Sequence, residues 1–576
     1  MNVVEKRHWE LRAPLRAALE RRLAAALNIA PLVARLLVLR GQDSPESARS
    51  YLGATLADLP DPFLMEGMTA AVERLIRAVE NGERVRIHGD YDVDGISGTS
   101  LLVELLRLLG ARVDYHIPLR LRDGYGLSAD ALRLAAGDGI SLVVSVDCGV
   151  TAAAEARLAR ELGLDLIITD HHQVPPELPD ALAVVNPHQP GCAFPDKNLS
   201  GVGVAFFVLA ALRQTLRRRG RFENRPEPDL RQYLDLVALG TIADVVPLTG
   251  INRILVKRGL ALIGEGRRVG IEALRKVGAV ETVDAMAVGF RLAPRLNAAG
   301  RLEDAGLGVE LLLETDASAA AEIAARLDRF NAERQGIEKQ VFAQARERAE
   351  KELPQEQRSI VLADERWHPG VIGIVASRMV ERFHRPSILI GLSEGEGKGS
   401  GRSVRGFHLV EALRGCSEHL CGFGGHAFAA GISLSEGSVA GFAQAFEMQA
   451  RAGLSEEQLT ARIFYDGGCD PGMLDLPLLE QLSELAPFGA GNPEPLFLLR
   501  DVQARSPRVL GSSHLAFEIF AGEQRLRCIA FGMARQIETL GGPVDLLAVP
   551  EFNHWKGRKS IQLRVRDLRP SGCEDK

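Results

Sequence analysis

The chain has 576 residues, of which 46% are hydrophobic and 25% charged, with a formal net charge of −6. That length is more than one hydrophobic core serves and predicts about three or four domains. The slight acidity argues against a protein that coats nucleic acid through a globally basic surface, although a local groove whose carboxylates hold divalent cations still admits a polyanion.

Residues 1–60 read as a small helical region, with apolar periodicity at Leu23, Leu27, Leu32 and Leu36. Residues 61–305 alternate between strand and helix patterns. Strands are predicted at Arg84–His88, Arg112–Ile117, Ser141–Val146, Asp165–Thr169 and Ala181–Val185, with helices such as Ser97–Leu109 and Ala152–Leu162 between them. This predicts an α/β fold with a doubly wound, mostly parallel sheet. Arg217–Arg219, with Arg213 and Arg221, reads as a solvated helix end. Residues 306–354 contain a long connecting helix, Ala317–Glu352, whose one glycine is Gly336 and which Pro354 ends. Residues 355–455 predict a second α/β lobe, with strands Ser359–Ala363 and Pro386–Ile390 and the helix Val371–Phe383. Residues 456–576 carry short alternating strands (His514–Phe520, Leu526–Phe531, Val544–Val549, Ser560–Val565) and predict a β-barrel of OB type.

The seven cysteines, Cys148, Cys192, Cys416, Cys421, Cys469, Cys528 and Cys573, are odd in number and form no C-x-x-C pair. They argue against a disulfide framework or structural zinc and for a reducing cytoplasm. Neither a signal-peptide pattern nor an apolar run long enough for a membrane span is present.

The most informative stretch is His88-Gly-Asp-Tyr-Asp-Val-Asp-Gly95, between a predicted strand and a predicted helix. His88, Asp90, Asp92 and Asp94 alternate, so an extended backbone places all four on one face. Like charges this close repel unless a cation lies among them. Oxygen ligands with a histidine suit Mn²⁺ or Mg²⁺. An EF-hand would need a preceding helix and a closing glutamate, and here a β pattern precedes. Two more predicted strands end in acid or imidazole, at Asp147 and at Asp170-His171-His172. Asp244, inside an apolar run, is costly to bury unpaired. These groups suffice for two divalent ions, a recurring device for phosphodiester hydrolysis. In that scheme Asp147 bridges the ions and His172 orients or neutralises the scissile phosphate. There is no G-x-x-x-x-G-K-[ST] element. One G-x-S-x-G match, Gly391–Gly395, lacks the helix a nucleophile elbow needs and reads as a turn.

In this order, His88-x-x-x-Asp92-x-Asp94, Asp147, Asp170-His171-His172 and Asp244 resemble the motifs of the DHH phosphoesterase superfamily. The resemblance implies metal ligands His88, Asp92, Asp94, Asp147, His171 and Asp244, with Asp90 and Asp170 behind them and His172 on substrate. Arg291-Leu-Ala-Pro-Arg-Leu-Asn-Ala-Ala-Gly-Arg301, and Arg120 with Gly124-Tyr-Gly126, resemble the RecJ-type exonuclease branch. Trp367–Arg378, Gly401-Arg-Ser403 and Gly424–Gly431 resemble the DHHA1 substrate-binding domain. Contacts to DNA phosphates are then expected from Arg120, Arg295, Asn297, Arg301, Ser377, Arg378, Arg402, Ser403, Gly424, Gly425 and His426, because arginine forks and glycine-exposed amides suit phosphate oxygens.

The activity implied is 5′-to-3′ hydrolysis of single-stranded DNA to 5′-mononucleotides in recombination and repair, the strand threading between the two lobes and the barrel gripping it. Phe517, Phe520, Phe531, Phe552 and Trp555 are candidate stacking residues, with core packing expected for most. A single-strand-binding protein and a RecQ-type helicase are the partners this implies, and a monomer is expected. The alternatives are a DHH-type oligoribonuclease or cyclic-dinucleotide phosphodiesterase, argued against by the length and the barrel-like tail; a catalytically dead scaffold; and a module that only holds single strands.

Overall fold

The computed structural model describes residues 7–119, 124, 126–302, 304–555 and 558–573. The fold divides into two compact units. One comprises residues 16–331 with 476–495; the other comprises 332–475 and 496 onward with the described residues before 16.

The first unit is built on five parallel strands: β1 (Arg84–Gly89), β2 (Arg112–His116), β3 (Leu142–Val146), β4 (Asp165–Thr169) and β5 (Ala183–Val185), in the spatial order β2-β1-β3-β4-β5. Every residue of β3 is buried, as a strand covered on both faces requires. The strand order reverses between β1 and β3. Ligands of such sheets bind in the crevice that opens there, beyond the carboxyl ends of the strands. Four helices shape the crevice: α1 (Val93–Leu109), α2 (Gly201–Arg218), α3 (Leu234–Ala243) and α4 (Ala293–Leu302). α1 begins four residues before the predicted helix. The expectation of an extended His88–Asp94 run therefore fails: Asp92 is the N-cap of α1, accepting from the amides of Asp94 (2.9 Å) and Gly95 (3.2 Å), and Asp94 lies in the first turn. A capping aspartate satisfies the orphan N–H groups of the helix more cheaply than water can once the site is buried.

Just before α4 the helix widens. Pro294 has no N–H to give the carbonyl of Phe290, and the amide of Ala293 bonds instead to Val288, five residues back, making a π turn over Val288–Leu292.

The helix Ala317–Glu352 spans 36 residues. Its Ala320, Ala324 and Leu327 pack into the core of the first unit, and its Val341, Ala345 and Ala349 into a core of the second. In the second unit, β6 (Ile360–Asp364), β7 (Ser387–Ser393), β8 (Glu396–Arg402), β9 (Gly422–Gly425) and β10 (Ala429–Ser435) form a mixed sheet in the order β9-β10-β8-β7-β6, packed by the helices Pro369–Phe383 and Val439–Gly453. Gly391–Gly395 runs from β7 into its hairpin turn, where Glu394 and Gly395 both take positive φ, so the G-x-S-x-G match is a turn of the primed type. The C-terminal part is a seven-stranded sheet in which inward and outward residues alternate, as in His514–Ala521. The N-terminal region is not wholly helical. His8–Leu11 is a strand paired in parallel with Arg462–Tyr465, and Trp9 donates to Asp567 at 2.9 Å. No single described helix is long and apolar enough to cross a membrane.

Candidate metal centre

Three neighbouring strands deliver the site. β1 leads into Asp90, Asp92 and Asp94; β3 ends at Asp147; β4 ends at Asp170, His171 and His172. Asp244 arrives separately as the C-cap of α3. The structure brings these side chains into three overlapping groups, each with its ligand atoms within 4.8 Å of one another: Asp90, Asp92 and Asp147; Asp94, His171 and Asp244; Asp147, His171 and His172. Asp147 belongs to two of the three.

The backbone around these groups is forced. Asp147 has φ +65° and Val245, directly after Asp244, has φ +60°. The left-handed region is tolerable for aspartate and unusual for a β-branched residue, and such conformations persist where the surroundings over-determine them. Glycines make the approach possible: a Cβ on Gly201 would lie 2.6 Å from that of Asp147, and one on Gly240 would lie 2.6 Å from Asp94 Oδ1. The amides of Gly201 (2.5 Å) and Val202 (2.9 Å), at the start of α2, donate to the Asp94 carboxylate, so the positive end of that helix holds a negative charge. Asp244 has the opposite arrangement. A carboxylate at the C-terminus of α3 meets the negative end of the dipole, which costs about 0.3–1 kcal/mol unless a cation compensates.

Burial, and next the neighbouring carboxylates, push the acids Asp94, Asp147 and Asp244 well above the usual carboxylate range. Burial also brings His171 down to about 4 and His88 down to about 4, so both rings are neutral. The backbone of Leu199 supports the His171 ring. Nε2 of that ring lies 3.0 Å from Asp147 Oδ1, 3.6 Å from Asp244 Oδ2 and 3.9 Å from Asp94 Oδ2, in hydrogen-bond geometry with none of them. A neutral imidazole lone pair facing three carboxylate oxygens is repulsive in itself and becomes favourable around a divalent cation. The residues present therefore fit a metal of the Mn²⁺ or Mg²⁺ type.

Asp170 stands behind the cluster. Its carboxylate accepts from the amides of Val150, His171 and His172 and from His172 Nδ1 at 2.7 Å. Burial disfavours a charged His172, but the bond to Asp170 and its charge outweigh that and hold the ring at about 9. The histidine is raised above its unfolded value near 6.5, so its contribution to stability is complete below that pH and is lost as pH rises through about 9. In the metal-free protein we expect the His172 ring protons to titrate by NMR near pH 9. With Asp170→Asn the largest support for the charged ring is lost, only the charges of Asp244 and Asp94 oppose the burial penalty, and the midpoint falls well below that of wild type. A midpoint unchanged by that substitution would mean that Asp170 does not set the charge of His172.

Several expected residues are placed otherwise. His88 does not join the three groups: its Nε2 lies 3.1 Å from the carbonyl of Gly126, and Asp90, expected to stand behind the ligands, takes a place beside Asp92 and Asp147. Asn297 accepts from the amide of Val93 at 3.2 Å, tying α4 to the start of α1. Arg301 and Asn297 line a cleft of about 320 Å³ together with Asp90, Tyr91, Asp92, Ala243 and Gly300. Arg295 is not turned to this cleft: it donates to Asp328 (2.9 Å) and to the carbonyls of Arg291 and Val277. Arg120 lies outside the described residues. In the second unit Arg378 pairs with Glu338 (2.9 Å) over the ring of Phe342, Ser377 bonds back to Gly373, and Ser403 donates to Phe407 O (2.8 Å). Arg402 donates to Ser400 Oγ (3.1 Å), and a Cβ on Gly373 would lie 3.2 Å from its guanidinium. Gly424, Gly425 and His426 sit on an exposed hairpin. Of the five aromatic candidates, Phe517 is core. Phe520 and Phe531 are exposed, and Phe552 is half-buried, with Lys559 Nζ 3.8 Å above its ring; the side chain of Trp555 lies outside the described residues. The expectation that most would be core is thus overturned, because alternation points Phe520 outward from the strand that buries Phe517. Sequence reasoning also missed Gly201, although a Ser-Gly-x-Gly start to an apolar helix marks both a cap and a close approach.

Three family models match: DHH family, N-terminal domain, over residues 84–241; DHHA1 domain over 356–452; and RecJ OB domain over 465–567. The single-stranded-DNA-specific exonuclease RecJ of Bacillus subtilis is 40% identical over 98% of this chain and 71% of its own length. That of Escherichia coli is 39% identical over 94% of this chain and 96% of its own. Among solved structures, RecJ from Thermus thermophilus in complex with Mn²⁺ superposes with a TM-score of 0.82 at 36% identity, covering 98% of this chain and 79% of that one; the same protein has also been solved with Mg²⁺.

Proposed function

Since the chain belongs to the RecJ family of single-stranded-DNA-specific exonucleases, we propose that it is a metal-dependent exonuclease that degrades single-stranded DNA from the 5′ end to 5′-mononucleotides, in recombination and repair. The observation that carries the reading is the His171 ring, neutral and aimed among the carboxylates of Asp94, Asp147 and Asp244 at 3.0–3.9 Å.

Bound Mn²⁺ or Mg²⁺ ions supply a water of lowered pKa and neutralise charge on the transferring phosphate. Asp90, Asp92 and Asp147 would hold one ion, and Asp94, His171 and Asp244 the other, with Asp147 in reach of both groups. The amides at the start of α2 orient Asp94, and the Leu199 backbone orients His171, so each ligand is aligned before substrate arrives. Asp170 holds Nδ1 of His172 and leaves its Nε2 proton for a non-bridging phosphate oxygen, a charge-assisted bond. Hydrolysis breaks the bond between phosphorus and the 3′-oxygen of the terminal nucleotide. That nucleotide leaves with its 5′-phosphate and a 3′-hydroxyl, and the shortened strand keeps a 5′-phosphate. Asp90 and Arg301 share the cleft beside Asp92, and Arg301 is the phosphate contact best supported there. In the second unit Arg402 and the amides of the hairpin at Gly424 and Gly425 are the corresponding candidates. The reducing cytoplasm expected from composition belongs to the same reading, supported by seven free thiols. The partners, a single-strand-binding protein and a RecQ-type helicase, rest on the resemblance alone.

A strand labelled at either end tests the reading. We expect mononucleotides to appear at once from a 5′ label, and from a 3′ label only at the end of the digestion, with Mn²⁺ or Mg²⁺ and not with chelator. Prompt release of the 3′ label would overturn the polarity and leave the metal centre standing. Digestion that continues in excess chelator would overturn the metal centre.

A further inference from the structure

We propose that Phe290, on the π turn that packs against the last turn of α3, is a stacking platform for a nucleobase of the strand whose phosphate lies on the metal centre. The inference rests on the nuclease reading above.

Phe290 is 74% exposed, Val245 69% and Met286 43%. These are high values for large apolar side chains, and they belong to segments that meet beside the site. Val245 follows Asp244 directly and holds its strained φ of +60°. The π turn carrying Phe290 packs on the last turn of α3: a Cβ on Gly289 would touch Ile242 at 3.6 Å, two residues before Asp244. The exposure of Phe290 has a cause in the chain. Pro294 cannot donate to the Phe290 carbonyl, the helix widens, and Ala293 bonds to Val288, which leaves the Phe290 ring outside the packed stripe of the helix. π turns concentrate at functional sites. From the same segment α4 runs on to Asn297 and Arg301 in the cleft beside Asp92.

The occupant follows from continuity with the metal centre. A polyanion lying over these carboxylates through bound cations places its bases to the side, where an exposed aromatic face can receive them. Bases stack on such faces whatever their identity, and a base in a duplex has both faces covered already. The platform would therefore add single-strand preference without sequence preference.

The test uses a hydrolysis-resistant phosphorothioate strand in Mg²⁺, with 2-aminopurine placed singly at each of the first several positions. Wild type should quench the fluorescence strongly at one position. Phe290→Ala should abolish that quenching, Phe290→Trp should restore it, and metal affinity by calorimetry should stay unchanged. On unmodified DNA, Phe290→Ala should raise KM about tenfold with kcat within about threefold. An identical quenching pattern in Phe290→Ala would overturn the proposal. So would a wild-type dimer that Phe290→Ala converts to monomer, since the patch would then be an interface between copies. Failure of wild type to bind or degrade the strand would instead sink the nuclease reading on which the proposal rests.

Discussion

Asp147→Asn should lower metal-dependent nuclease activity by at least about a thousandfold, roughly 4 kcal/mol of transition-state stabilisation, while leaving the metal-free fold as stable as wild type or more so. The two halves of this expectation have one origin. Asp147 is buried at the end of β3 among Asp90, Asp92, Asp94 and Asp244, and its carboxyl is raised well above 3.8, by burial first and its acidic neighbours next. A carboxylate raised on folding costs stability at every pH above its unfolded value, so at pH 7 the native aspartate works against the empty fold. Asparagine removes the charge and keeps the shape. It also tolerates φ +65°, where alanine would add about 1–2 kcal/mol of strain and confuse the comparison. With Mn²⁺ the order reverses. A cation that binds only the folded state raises stability by RT ln(1 + [L]/Kd), and the variant lacks the carboxylate common to two of the ligand groups. Thermal unfolding with and without Mn²⁺ reads both halves. The expectation fails if Mn²⁺ raises the melting temperature of Asp147→Asn as much as it raises that of wild type, or if the variant digests DNA at the wild-type rate.

The same residues show what a sequence can and cannot disclose here. Strand ends were legible because a parallel strand buried on both faces reads as an unbroken apolar run, and the run stops where the functional group begins: Leu142–Val146 before Asp147, Leu166–Thr169 before Asp170. Asp244 was legible through its cost, an acid in an apolar stretch. The conformation inside His88–Gly95 was not, because alternation suggested a strand and the capping power of Asp92 went unread. The result moved Asp94 onto a helix, set Asp90 into the cluster and left His88 facing Gly126. Side-chain pairings across long separations were equally hidden. Arg295 and Asp328 lie 33 residues apart, and nothing local distinguishes an arginine held by such a partner from one reserved for phosphate. Phe290 was hidden too: nothing local predicts the π turn before Pro294, and which ring it leaves in solvent depends on packing against α3.

Gly201→Ala carries the second large expected effect, about a hundredfold loss in kcat with about 1–3 kcal/mol of lost stability. A methyl group there would sit 2.6 Å from Asp147 Cβ, 2.8 Å from its Oδ1 and 2.9 Å from its Cα, closer than carbon atoms pack, so one of the two segments must move. Asp147 cannot yield easily: its amide is bonded to Thr169 O at 3.0 Å and its φ is already in the left-handed region. The start of α2 cannot yield easily either, since Ser200 caps it and the Gly201 amide holds Asp94. Whichever moves, a metal-binding carboxylate moves with it, and displacements well under an ångström suffice to misalign a hydrolytic site. Gly203→Ala is the control in the same turn. Its nearest neighbours would be Ser200 Oγ at 3.3 Å and Leu199 Cβ at 3.6 Å, contacts relieved by a few tenths of an ångström, and alanine favours the helix by about 1 kcal/mol over glycine, so kcat should stay within about threefold of wild type. Urea denaturation and steady-state kinetics on both variants separate the outcomes. A Gly201→Ala protein with wild-type kcat and wild-type Mn²⁺ affinity would show that the close contact between α2 and Asp147 does not align the centre.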